Sequence, residues 1–168
     1  ITNNILANCQ QVRYTTTDVY VNTKGIPAYP TGIFTGDGNT NNAGNQNAIY
    51  RIPLNPTKNT GTAVATNLGN IGVFVNGVSV FDWKDGVSWN PSTSAICGGP
   101  PGNPSCPTGT TFAWNRDAVP AEKLGFDCAK GHPAGTNYHH HQNPSAFKYD
   151  GTTANTYSAI CTLYNSEG

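Results

Sequence analysis

The sequence predicts an all-β domain: mainly antiparallel, a β-sandwich or similar β-rich architecture with long loops and little helix. Three observations carry this expectation. Two apolar runs, Ile71–Val75 and Val78–Trp83, flank Asn76-Gly77, the strongest short hairpin signal available. The chain has 19 glycines and 12 prolines in 168 residues, with few strong helix formers, which disfavours long helices. Near the N-terminus, Val12, Tyr14, Val19 and Val21 alternate in part with polar residues, as half-buried strands do.

Taken in order, residues 1–23 read as one or two extended strands broken at Thr15–Thr17. Residues 35–47 are almost all turn formers and read as a loop. Asn47–Leu54 reads as a short strand that Pro53 confines to an edge or an end, because proline cannot donate to a ladder. The Ile71–Trp83 hairpin is expected at the centre of the core, its Asn76-Gly77 turn being of type I′. Segment 84–110 reads as loop, Val119–Leu124 as a single helical turn with Pro120 near its start, and Thr156–Tyr164 as a final strand. Asn-Pro-Ser/Thr triplets at 55–57, 90–92, 103–105 and 143–145 are irregularly spaced and read as turn starters. One domain over residues 1–168 is the simplest organisation, with residues 1–23 able to add a strand to a neighbouring subunit.

Nine basic and nine acidic residues cancel, and only 11% of the chain is charged. No basic face is available for nucleic acid, and no apolar run approaches the ~20 residues that span a bilayer. A surface of Asn, Thr, Ser and Gly suits an extracellular or cell-surface β-protein, and it leaves little charge to keep copies apart. The chain has no methionine and starts at Ile1, which a cleaved secretory signal would explain. None of the five cysteines forms a Cys-x-x-Cys pair, so disulfides in an oxidising compartment are the expected use. Cys97 and Cys106 bracket a Gly/Pro loop with nothing else to order it and are expected to be bonded to each other.

All four histidines fall within ten residues: His132, His139, His140 and His141. If Tyr138–Gln142 is extended, His139 and His141 share one face and His140 points to the other. Their Cα atoms then stand roughly 6.5–7 Å apart, within reach of one ion. His132 can fold back through Pro133–Thr136 as a third ligand, the alternative being a set of hydrogen-bonded histidines that fix a turn. A nitrogen-rich site of this kind suits Zn²⁺ or Cu²⁺ over Ca²⁺. Asp127 is placed as a fourth ligand or as the group that orients an imidazole, with a turn-capping role as the alternative; Tyr138 and His140 stand behind the ligands.

Three stretches together are similar to the YHYH-domain family of secreted bacterial proteins. The first is Gly72–Phe81 around Asn76-Gly77-Val78, and the second is Trp114–Ala118. The third is Phe126-Asp127-Cys128-Ala129-Lys130-Gly131-His132-Pro133 followed by Gly135–His141 and Asn143-Pro144. The match spans roughly residues 68–147 and departs from the family at His140, where the second tyrosine is expected. That side chain faces away from His139 and His141, so the paired imidazoles survive the change. The resemblance implies a secreted β-domain with a metal site. The family's usual cysteine after the proline is missing, since Ala146-Phe147 follow Ser145. Cys128 is therefore expected to pair with Cys161, leaving Cys9 unpaired or bonded to another chain.

Enzyme signatures are absent: there is no His-Glu-x-x-His, no Gly-x-Ser-x-Gly and no phosphate-cradling loop before a helix. A catalytic metal needs an open position and a general base, and the only glutamates are Glu122 and Glu167. The expected function is thus a secreted, non-enzymatic structural protein with a divalent-metal site, self-assembling into an extracellular filament or surface layer. Two alternatives stand beside it: a metal-dependent hydrolase or oxidase using the same histidines, and a carbohydrate-binding module that stacks glycans on Trp83, Trp89 and Trp114.

Overall fold

The computed structural model describes residues 9–34, 36, 41–99, 103–108, 110, 114–144, 146 and 156–165. Among the described residues, ten short strands form three sheets, accompanied by two short helices and one 3-10 turn. The first sheet has the order β1 (Cys9–Tyr14), β2 (Asp18–Thr23) and β3 (Ala48–Pro53), all antiparallel. Residues 9–23 thus pair within their own chain, and Pro53 ends an edge strand, as its missing N–H requires. Two hydrogen bonds tie the sheet to the second one. Thr23 Oγ1 donates to Gly77 O at 3.1 Å, and Tyr50 Oη lies 2.8 Å from Ser79 Oγ. At the far end Val12 and Tyr14 are 60% and 81% exposed.

The second sheet, of mixed direction, carries the histidines in the order β4 (Asn70–Val73), β5 (Ser79–Phe81), β10 (Asn137–His140) and β9 (His132–Ala134). β4 and β5 form the expected hairpin, with Val73 opposite Ser79. Its turn is not type I′. Gly77 N–H bonds Phe74 O at 2.8 Å, and the left-handed conformation falls on Gly77 alone (φ 82°). This is the three-residue loop in which a turn is followed by a glycine bulge. Asn76 keeps negative φ, and its side-chain oxygen instead accepts from Val78 N–H at 3.2 Å. β5 is interior, lying between β4 and β10, which it meets in parallel.

Segment 84–110, expected to be loop, instead contains most of the third sheet, β7–β6–β8. β6 (Lys84–Asn90) pairs with β7 (Ala95–Gly98) on one side and β8 (Asn115–Asp117) on the other. No apolar alternation marks β6 because Ser88 and Asn90 are buried there while Trp89 is left 43% exposed. Ser88 satisfies its hydroxyl by donating to Trp114 O at 2.6 Å. α1 (Ala118–Glu122) occupies the expected helical turn, with Asp117 capping it by accepting from Val119 N–H at 2.9 Å. A 3-10 turn, Lys123–Gly125, follows.

Thr156–Tyr164, expected to be a strand, is helical: α2 spans Tyr157–Asn165. Thr156 caps it, its hydroxyl accepting from Ala159 N–H at 3.2 Å. Ile160 and Tyr164, four residues apart and on one helical face, enter the core with Tyr29, Phe34, Val78, Ala129, Tyr138 and Ala146. Residues 1–8, 35 and 37–40 of the expected N-terminal strand and loop lie outside the described residues. What is described of 41–47 forms neither helix nor strand.

Both expected disulfides are present: Cys97–Cys106 and Cys128–Cys161, with separations of 9 and 33 residues. Cys128–Cys161 ties α2 to the loop before β9, while the side chain of Cys9 lies outside the described residues. Loop-closure entropy makes the longer bridge the stronger one. Cys128→Ser/Cys161→Ser is expected to cost about 3.5 kcal/mol and Cys97→Ser/Cys106→Ser about 2.5 kcal/mol, read as shifts in urea midpoint. Equal shifts would contradict the loop-length argument.

Candidate metal centre

The alternation of β10 divides its residues cleanly. Tyr138 and His140 turn into the core, while His139 turns to the opposite face with His141. His139 pairs with His132 across the β9–β10 hairpin, so those two imidazoles share a face, ring centroids 4.7 Å apart. The parallel neighbour β5 lays Phe81 flat on His139 at 3.7 Å. Phe126 packs edge-on against His132 at 4.8 Å. On the core side, Gly131 lets the backbone pass close to Tyr138 and His140, since a Cβ there would lie 2.6 Å from the Tyr138 hydroxyl and 2.7 Å from the His140 ring.

The Nε2 atoms of His139 and His141 stand 3.1 Å apart. Glu122, at the end of α1, places Oε2 3.0 Å from His132 Nε2 and 3.3 Å from His141 Nε2. One ligand atom from each of Glu122, His132, His139 and His141 lies within 4.8 Å of all the others. A tetrahedral zinc ion with bonds of about 2.0 Å has ligand–ligand edges of about 3.3 Å, so these spacings suit the donor set of such a centre.

Hydrogen bonding on the far side of the rings supports the same fit. His139 Nδ1 lies 3.0 Å from Asn137 O, and His141 Nδ1 lies 2.6 Å from Asp82 O. A carbonyl only accepts, so both Nδ1 atoms carry the proton and both Nε2 atoms turn lone pairs inward. Two lone pairs at 3.1 Å repel unless a cation, proton or metal, sits between them. The buried His132 has no hydrogen-bonding partner of suitable geometry at either nitrogen, although its Nε2 is close to Glu122.

The charges follow from these surroundings. Burial pushes His139 down to about 3, and the neighbouring His132 and His141 add to the shift, so it is neutral and ready to ligate. Burial alone would raise Glu122, but the close approach of His132 and His141 prevails and holds it at about 2, a carboxylate. Burial also opposes charge on His141, yet the Glu122 carboxylate and the Asp82 carbonyl move it above the ordinary histidine value. Of the shifts at this centre, this is the one that favours a protonated imidazole.

Asp127, expected as a ligand, is not among the converging groups. It accepts from Gly32 N–H at 3.0 Å, Gly131 N–H at 3.1 Å and the Tyr138 hydroxyl at 3.0 Å, so its oxygens are already used. The alternative of a turn-capping aspartate describes it better. Tyr138 therefore orients Asp127 and not an imidazole. His140 is held by Lys130 O at 3.0 Å and the Tyr29 hydroxyl at 2.7 Å, facing away from the cluster as expected. The place foreseen for Asp127 is filled by Glu122. Its one signal in the sequence was scarcity, being one of only two glutamates. Trp83, Trp89 and Trp114 are each about half exposed, at 50%, 43% and 47%.

Among the described residues no helix is long and apolar enough to cross a membrane, and the two disulfides fit an oxidising compartment. No curated protein and no solved structure matches the chain. The family model described as YHYH protein matches residues 49–163, reaching beyond the 68–147 stretch on both sides and taking in β3, Glu122 and most of α2. With more than half its length matched, the chain belongs to the YHYH protein family.

Proposed function

We propose that this is a secreted, non-enzymatic structural protein that holds one divalent ion through Glu122, His132, His139 and His141. The observation that carries the reading is the convergence of four ligand atoms within 4.8 Å, with the Nε2 atoms of His139 and His141 3.1 Å apart. Three nitrogens and one carboxylate oxygen favour Zn²⁺ or Cu²⁺, since Ca²⁺ takes six to eight oxygens. Four protein ligands close a tetrahedron, whereas catalytic zinc sites keep one position for water; this favours a structural ion. Elemental analysis after zinc loading and desalting tests it. The expected result is about one ion per chain, lost in His139→Ala/His141→Ala. Equal zinc in both proteins would refute the site.

Self-assembly is supported by a separate observation on the β1–β2–β3 sheet. Its register aligns Val12 with Val21 and Tyr50, and Tyr14 with Val19 and Ile52. Opposite residues share a face, so the six make one apolar surface whose outer members Val12, Tyr14 and Ile52 are 60%, 81% and 41% exposed. The fitting occupant is a second copy of this chain, because nine basic and nine acidic residues leave no net repulsion between copies. Sedimentation of the wild-type protein is expected to show oligomers that Tyr14→Lys/Ile52→Lys disperses. A wild type that is monomeric at all concentrations removes the assembly reading.

A further inference from the structure

We propose that Glu122 is a detachable ligand, and that its departure opens the centre to a small monoanion carrying one oxygen or nitrogen donor. This rests on the metal-binding reading above.

The four ligands are held very unequally. His139 and His141 are fixed at both ends, their Nδ1 atoms bound to the carbonyls of Asn137 and Asp82. Their rings are packed as well: Phe81 stacks on His139, and Phe126 stands edge-on to His132. His132 is further fixed by the β9–β10 pairing. These three imidazoles form a rigid base under the ion.

Glu122 has none of these restraints. It ends a five-residue helix, and its described contacts are with His132 and His141 alone. It is also the most exposed ligand, with a side chain 15% accessible against 9% for His132 and 4% for His141. The start of α1 is packed, with Ala118 buried and its N–H bonded to Trp83 O at 2.8 Å, whereas Glu122 sits at the other end of the helix and Leu124 beyond it is 69% exposed. Rotation of one side chain would turn the carboxylate outward and leave the three nitrogens in place. The vacated position is the least buried of the four, and the charge removed from it is a single negative one. A monoanion of similar donor strength therefore restores both the coordination number and the charge. The exchange is a ligand substitution at the ion, with no change in its oxidation state.

Cobalt(II) loaded into the full chain reports this directly, because its visible spectrum follows the number and kind of ligands. Azide is the probe. Titration of the wild-type cobalt protein is expected to shift the visible band saturably. Glu122→Ala is expected to retain cobalt on three histidines and to saturate at about tenfold lower azide, the intramolecular competitor being gone. Glu122→Gln, which keeps the side-chain volume, should fall between the two. A wild-type band unmoved by azide overturns the inference, as does a folded Glu122→Gln that has lost its cobalt. These results leave the metal-binding reading intact. A wild type that retains no cobalt overturns both.

Discussion

Stripping the ion with a chelator is expected to lower the unfolding midpoint of the wild-type protein and to leave His139→Ala/His141→Ala unmoved. A ligand that binds only the folded chain stabilises it by about 4 kcal/mol when its free concentration is 1,000 times its dissociation constant. The effect has a pH dependence whose sign follows from the site. Glu122, held at about 2, and His139, held at about 3, are already in their ligating forms at any ordinary pH. His141 is shifted the other way, towards its protonated form, so an ion that ligates it competes with a proton. Zinc binding is therefore expected to release a proton and to weaken as pH falls. Calorimetry in buffers of different ionisation enthalpy measures that release directly. A chelator that shifts wild type and double variant equally would mean the stabilising ion lies elsewhere.

The histidine half of this centre was legible because it depends only on local geometry. Alternation along an extended segment fixes which side His139 and His141 share, whatever the rest of the fold does. The fourth ligand was not legible for the opposite reason. Glu122 reaches the site through the placement of α1 against β6 and β8, a long-range packing that no spacing encodes. Asp127 was nearer to His132 in sequence, but the turn it caps uses both of its oxygens. The Asn76-Gly77 hairpin declared itself through turn chemistry, although the loop closed one residue longer than a type I′ turn. β6 left no trace because its buried residues include serine and asparagine, satisfied by hydrogen bonds in place of apolar contact. The final helix was misread as a strand since Ile160 and Tyr164 fit either period until Thr156 is recognised as a cap.

Asp127→Ala is expected to be among the most destabilising single substitutions outside the centre. The carboxyl joins three separate pieces of chain: the loop at Gly32, the turn at Gly131 and the core tyrosine of β10. Removing it leaves the buried Tyr138 hydroxyl and two backbone N–H groups without this partner, at about 1–3 kcal/mol for a lost buried partner and more if several go together. Its protonation adds a pH signature. Burial raises the Asp127 carboxyl to about 7, against the N–H groups of Gly32, Gly131 and Ala129 and the tyrosine, which all favour the charged form. The folded chain then holds a proton that the unfolded chain releases above about 3.9. That contribution is fully present at low pH and is lost as pH rises towards 7, by up to about 1.4 kcal/mol per pH unit. Asp127→Asn removes the titration but replaces one acceptor oxygen with an amide nitrogen that cannot accept from the facing N–H. Its midpoint should lie below that of the wild type, with the gap narrowing from pH 5 to pH 7 as the wild type loses its proton. Urea unfolding of the two metal-free proteins at both pH values measures this. A gap that stays constant would mean Asp127 is a carboxylate throughout, held by its donors against the cost of burial.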